Sequence, residues 1–248
     1  MPKICIDAGH GGHDPGAVNG SIYEKNIALS IALLLDEKLR KQGFNTVLTR
    51  DNDEFVELTD RCKIANKNKC DLFISIHLNA GNSAASGIET LIYKNSRVNS
   101  AVAECIQTRL INSTGAVDRG IKERPDLCVL RETSMPAVLI ETGFISNAAE
   151  LKRLSNAAYQ NKMATLIAKS LCTYYGTVYI NIDNEVKAVE EKRYNSIHEI
   201  PEALRPEIQE LVNCGALRGD GKGFDLSYDM IRILVITKRY LDLKSQKK

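Results

Sequence analysis

The stretch Leu72-Phe73-Ile74-Ser75-Ile76-His77-Leu78-Asn79 decides the fold class. It is a short, mostly apolar run, interrupted by Ser75 and His77 and ending on Asn79, with the length and residue types of a strand buried on both faces. Outward from it, residues 3–7, 44–49, 88–93, 128–130 and 137–140 also read as strands. Helical patterns lie between them. Residues 24–42 place Ile27, Ile31, Leu34, Leu35 and Leu39 on one face, and Gly43 follows as a stop. Thr59 is placed to cap a helix running through Lys69. Val98, Val102, Ile106 and Leu110 recur every four residues, and residues 147–154 and 157–175 are helical in pattern. Strands interleaved with helices predict an α/β fold, with a central, mostly parallel sheet flanked by helices.

The pattern changes after residue 176. Val178, Ile180 and Ile182 alternate, and residues 184–193 are mostly charged, so residues 177–193 read as a linker, or a short strand leading into one. Residues 194–248 carry two helical patterns and read as a small helical C-terminal domain. Pro201 and Pro206 flank the entry to the first, which holds Ile208, Leu211 and Val212 and stops at Gly215. The second starts at Ser227, a good N-cap, with Leu226 and Ile231 placed as a hydrophobic staple. Its apolar positions are Ile231, Leu234, Val235 and Leu241, and residues 218–223 form the loop between the helices. Roughly 50 residues make a small independent core. Support from the main domain, or a dimer formed through this tail, is therefore expected.

Composition excludes several classes. A formal net charge of +2 gives no reason to expect nucleic acid or an anionic membrane as partner. No apolar run is long enough to span a bilayer. Residues 1–7 lead straight into a strand, so no signal peptide is expected and the chain is expected to be made in the cytoplasm. The seven cysteines are odd in number and form no C-x-x-C pair. They read as reduced thiols and not as a disulfide framework or a zinc site.

Chemistry-bearing residues gather at strand ends. His10 follows the first strand in Asp7-Ala8-Gly9-His10-Gly11-Gly12-His13-Asp14-Pro15-Gly16, and His77 ends the strand quoted above. Glu24 opens the first helix, and Glu141 follows Ala137-Val138-Leu139-Ile140. In an α/β sheet these places can converge on one rim. Two histidines and a glutamate would give zinc three ligands and leave one position open, and Glu141 could then move protons. His13 and Asp14 are as well placed as His10 on spacing alone. A glycine-rich loop after a strand also suits phosphate, although neither standard phosphate-binding glycine pattern is present. A first-turn glutamate also complements a helix dipole without any ligand.

Taken in order, the motifs resemble the zinc-dependent N-acetylmuramoyl-L-alanine amidases of type 3. They run from Ile6-Asp7-Ala8-Gly9-His10-Gly11-Gly12-His13-Asp14-Pro15-Gly16-Ala17, through Glu24, Thr49-Arg50 and Leu58-Thr59-Asp60-Arg61, to Ser75-Ile76-His77-Leu78-Asn79-Ala80. Arg119-Gly120-Ile121-Lys122, Leu130-Arg131 and the stretch from Met135 to Asn147 around Glu141 complete the set. The resemblance implies a six-stranded mixed sheet, zinc (Zn2+) held by His10, Glu24 and His77, and Glu141 as catalytic acid/base. Residues 1–176 would form the catalytic domain. The implied reaction is hydrolysis of the amide between N-acetylmuramic acid and the stem-peptide L-alanine of bacterial peptidoglycan. The resemblance also leaves Asn79 positioning substrate or the strand end.

The stretch from Ala216 to Met230 resembles small C-terminal modules of phage lysins. It implies a wall-binding role toward a secondary wall polymer, with Tyr194, Tyr228, Arg218 and Lys222 as candidate contacts, and a phage endolysin acting at the host cell wall. A mother-cell or autolytic amidase is the alternative source. Rival activities are a zinc peptidase cutting within the stem peptide and a non-catalytic wall-binding protein on this scaffold. An iron oxygenase would set its His and carboxylate close together on a β-barrel, unlike His10 and Glu24 here.

Overall fold

A computed structural model of the chain describes residues 1–94, 97–180, 193–218, 223–224, 226–227, 230–231, 233–235 and 237–238. Its contacts divide it into two units, Met1–Ile180 and Asn181–Lys248.

The first unit is built on a six-stranded sheet. Its strands are β1 (Lys3–Ala8), β4 (Asn45–Leu48), β5 (Leu72–Asn79), β6 (Ile88–Ile92), β7 (Asp118–Glu123) and β8 (Ala137–Phe144), in the order β4-β1-β5-β8-β6-β7. A small hairpin, β2 (Val18–Asn19) with β3 (Ile22–Tyr23), stands apart from it. Every neighbouring pair is parallel except β6–β8. The connection across residues 80–87 holds no helix, so the chain reverses there and cannot form a parallel crossover. The sheet is thus mixed and mostly parallel, as the alternating pattern predicts.

Side-chain alternation splits the core between two faces. Ile4, Ile6, Ile74, Ile76, Val138 and Ile140 pack against α1 (Glu24–Lys41), α3 (Arg97–Thr114) and α6 (Ala157–Tyr174). Cys5, Phe73, Leu91 and Leu139 point the other way, toward α2 (Leu58–Lys67) and α4 (Cys128–Arg131). The first face lies under three helices of 18 residues each. The second has only helices of 10 and 4 residues. His77, Glu141 and Glu89 follow the second face by alternation, so they stand on the less covered side of the sheet. The remaining helix, α5 (Ala148–Leu154), is capped by the Asn147 side chain, which accepts from Ala149 N and Glu150 N.

Some sequence expectations fail for physical reasons. Residues 128–130 form α4 and not a strand, because a three-residue apolar run carries no periodicity to separate the two. Thr59 caps nothing: α2 begins at Leu58, and Glu57 holds the N-cap position without a side-chain bond. The edge strand β7 escapes an apolar reading because its residues are Asp-Arg-Gly-Ile-Lys-Glu, the charged composition that protects an open sheet edge.

In the second unit, β9 (Arg193–Tyr194) pairs antiparallel with β10 (Leu226–Ser227). Two 3₁₀ turns, Ile197–Glu199 and Glu202–Leu204, lead into α7 (Arg205–Asn213). Tyr194, Ile200, Ile208, Leu226, Ile231 and Val235 form its core. Tyr194 is only 3% exposed, so it packs inside and does not offer the surface contact expected of it. Ser227 lies in β10. Residues 181–192 of the expected linker, most of the expected 218–223 loop, Lys222, Tyr228 and Leu241 lie outside the described residues.

Among the polar groups buried in the first unit's sheet is a carboxylate close to the end of β1. Asp7 is 1% exposed and accepts hydrogen bonds from Arg61 Nη1 (2.8 Å), Thr49 Oγ1 (2.6 Å) and Ser75 Oγ (2.6 Å). Burial pushes its carboxyl up, but the Arg61 charge and these hydrogen bonds outweigh that and hold it below the ordinary carboxylate range. Arg61→Met should leave an uncompensated buried charge and cost about 3–5 kcal/mol in urea unfolding at neutral pH. Because the folded carboxyl is depressed, the pair's stabilisation is fully present above the ordinary Asp value of about 3.9 and is lost progressively as pH falls below it through the lower folded value. The deficit of the variant should therefore shrink in acid. A neutral-pH loss under about 1 kcal/mol would contradict this role for the pair.

Candidate metal centre and its surroundings

β1 ends at Ala8, and the chain turns through Gly9 into His10, which has a positive φ of 59°. That conformation is unfavourable for a side chain of this size and persists only if its surroundings fix it. Two guanidiniums do so. Arg61 donates from Nη1 to Ala8 O (2.6 Å) and from Nη2 to His10 O (2.7 Å). Arg50 donates from Nε to Ala8 O (2.9 Å) and from Nη2 to Gly9 O (2.7 Å). Three consecutive carbonyls at the strand end are thus satisfied by side chains from distant parts of the sequence.

Glu24 opens α1, and its carboxylate turns to the strand ends. Oε1 accepts from Leu78 N (2.8 Å), and Oε2 accepts from Ala17 N (2.9 Å). The same Oε1 stands 3.2 Å from His10 Nε2 and 3.0 Å from His77 Nδ1. On its far side, His10 Nδ1 lies 2.8 Å from Asp14 Oδ2. Asp14 on Nδ1 is the usual second partner of a metal-binding imidazole, and it leaves Nε2, on the Glu24 side, as the nitrogen that would meet a metal. Close packing fixes the rings. A Cβ at Gly9 would strike the His77 ring, and one at Gly16 would strike both His10 and Glu24.

His10, Glu24 and His77 therefore offer ligand atoms all within 4.8 Å of one another. The field there favours positive charge. Burial lowers the His10 imidazole, but Glu24 and Asp14 more than compensate and push it up to about 9. Burial likewise raises Glu24, and its bonds to the two imidazoles overturn that and hold it well below the ordinary range. A pocket that retains a proton so firmly among nitrogen and carboxylate donors is chemically suited to a metal cation.

Glu141 is the register partner of His77 on the neighbouring strand. Its Oε2 is buried and finds no hydrogen-bond partner among the described residues. Burial first, then the nearby charges of Glu24 and Glu89, push its carboxyl up to about 7, against the opposing pull of His77 and His10. A carboxyl poised there can both take and give a proton near neutral pH. His13 stays apart, its ring 4.0 Å from that of Phe55. Asn79 supports Glu89 through a 2.8 Å bond from Nδ2 to Oε1. Beside the donors lies a cavity of about 340 Å³ whose lining includes His10, His77, Phe55, Leu58, Leu127 and Cys128.

The structure thus gathers His10, Glu24 and His77 into one cluster and sets Glu141 beside it. Asp14, Arg50 and Arg61 were not singled out for these supporting bonds by the sequence. A polar residue inside an apolar strand, such as Asp7 or Ser75, was the available hint. The arginines gave no local hint of these bonds, because the strand-end carbonyls they meet lie 41 to 53 positions away.

Fold and site together define an α/β domain with a cation-favouring donor set on the rim of its sheet. Residues 4–173 match the amidase 3 family model, described as N-acetylmuramoyl-L-alanine amidase. The chain belongs to that family. It is 41% identical over 177 residues to the uncharacterized protein YqiI of Bacillus subtilis, covering 69% of this chain and 84% of that protein. It is 40% identical over 168 residues to the endolysin of Bacillus phage SPP1, covering 65% of this chain and 61% of the endolysin. The solved catalytic domain of CwlV, an N-acetylmuramoyl-L-alanine amidase from Bacillus (Paenibacillus) polymyxa var. colistinus, superposes with a TM-score of 0.68 at 39% identity. That match covers 71% of this chain and 99% of that one. The family match ends before the second unit begins.

Proposed function

We propose that the chain is a zinc-dependent amidase that hydrolyses the bond between N-acetylmuramic acid and the stem-peptide L-alanine in peptidoglycan. The observation that carries this reading is the convergence of His10, Glu24 and His77 beside Glu141, whose buried Oε2 has no hydrogen-bond partner among the described residues, inside the family-matched domain.

His10 Nε2, His77 Nδ1 and a Glu24 oxygen are the donors that would hold zinc. Two nitrogens and one oxygen fit this borderline ion, and three protein ligands leave a position open for chemistry. Bound there, zinc supplies Lewis acidity toward the amide carbonyl and makes a water more acidic. The protein does the rest. Asp14 fixes the His10 tautomer, and the Leu78 and Ala17 amides hold the Glu24 carboxylate in place. Glu141 takes a proton at Oε2 as water adds its oxygen to the carbonyl carbon. It returns that proton to the departing nitrogen as the C–N bond breaks. The products are the muramoyl carboxylate and a stem peptide with a free L-alanine amine.

The likeness to a phage endolysin supports a role in lysis at the bacterial wall. The lysin-like tail supports reading the second unit as a wall-binding module toward a secondary wall polymer, with its own core. Among the described residues no helix is long and apolar enough to cross a membrane.

Glu141→Ala should retain zinc and lose turnover by about 10²–10⁴-fold, the usual share of a positioned acid/base. His77→Ala should lose bound zinc together with activity. Metal content measured alongside peptidoglycan hydrolysis checks both. Full activity in the first variant, or full zinc retention in the second, would sink these roles. A chain ending at Ile180 should still cleave isolated walls but co-sediment with them less. Equal sedimentation would remove the wall-binding role from the second unit.

A further inference from the structure

The row of polar residues along the sheet rim does not stop at Glu141. Glu141 and Glu89 are register partners on the antiparallel pair β8–β6, so their side chains share a face. Glu89 is 7% exposed. Its Oε2 accepts from Arg119 Nε (2.8 Å) and Lys122 Nζ (2.6 Å), and its Oε1 accepts from Asn79. The Arg119 guanidinium also lies over the Phe144 ring, 4.8 Å from its centroid. Burial pushes the Glu89 carboxyl up, but the two cations hold it below the ordinary range, so it stays charged and is no second proton carrier. One carboxylate thus faces two cations, and one positive charge is left over. The Arg119 and Lys122 side chains are 33% and 43% exposed, so both remain reachable from solvent.

We propose that Arg119 and Lys122 form a subsite for a carboxylate on the peptide leaving group, about two residues beyond the scissile amide. The assignment rests on the amidase reading. Neighbouring strands lie about 4.8 Å apart, so β7, two strands beyond Glu141, is about 10 Å from it. An extended peptide advances about 3.3–3.6 Å per residue. Its second residue therefore stands about 7 Å from the cleaved bond, and both cations reach back toward Glu141 to meet Glu89. The charge pattern sets the direction. Amide-linked N-acetylmuramic acid is neutral, so the substrate's carboxylates lie on its peptide. On the other flank, the cavity beside His10 and His77 is lined largely by apolar groups such as Phe55, Leu58 and Leu127. Its arginine, Arg61, is already bound to Asp7 and to backbone carbonyls, and the His10 imidazole beside it is engaged by Glu24 and Asp14. The sugar side fits there, and the acidic peptide fits over β7.

Two synthetic stem peptides starting at L-alanine test this, identical except for a free carboxylate or a carboxamide on the second residue. Their binding to the zinc-loaded full chain is measured by calorimetry, and their muramoyl forms are followed for turnover. The acid peptide should bind about ten- to a hundredfold tighter, the usual worth of a charge-assisted contact. Its muramoyl form should show a lower KM with kcat little changed. Lys122→Gln should erase the preference, and Lys122→Arg should keep it. Equal binding of the two peptides by the unaltered chain would overturn the subsite. So would a preference that survives both Lys122→Gln and Arg119→Gln. A clear binding preference without cleavage of either muramoyl peptide would support the subsite and refute the amidase reading.

Discussion

The buried Asp7–Arg61 pair is the constraint on which the rest of the site depends. The Asp7 carboxylate joins β1 to Ser75 on β5, to Thr49 just after β4 and to Arg61 on α2. The same guanidinium then holds the carbonyls of Ala8 and His10. Burying two charges is costly, and an apolar replacement of both can be neutral for stability. What such a replacement could not do is hold His10 at a positive φ with its ring aimed at Glu24. Here a polar network inside the sheet fixes one geometry at its rim.

From that anchor the rim reads as a sequence of charges, one strand at a time. His10 follows β1, and His77 lies on β5 with the Glu24 carboxylate between them. Glu141 comes next on β8, and Glu89 after it on β6, tied to the cations of β7. The thin cover of α2 and α4 leaves this face open to a substrate, whereas three long helices close the opposite face. Glu24 and Glu141 show how position divides two identical side chains. Glu24 is surrounded by donors and stays ionised, while Glu141 is half-buried with one bare, buried oxygen and is poised near neutral pH.

Much of this was legible in the sequence, for particular reasons. The strands at residues 72–79 and 137–144 are central and apolar, so their C-terminal ends exposed His77 and Glu141 as chemically out of place. His10 stood out because glycines surround it, and Glu24 because it opens a long amphipathic helix. What stayed hidden depends on partners far along the chain. β7 looks like a charged loop until its register with β6 is known. Arg50, Arg61 and Glu89 are ordinary charged residues until the fold buries them. Tyr194 read as a surface contact because nothing local marks it for the core of a small unit.

The most direct test is digestion of purified peptidoglycan by metal-loaded and by chelator-treated protein, with mass spectrometry of the fragments. Free stem peptides bearing a new L-alanine amine, formed only when metal is present, are the expected result. Shortened peptides still attached to muramic acid, or equal release after the metal is stripped, would contradict a zinc-dependent amidase built on His10, Glu24, His77 and Glu141.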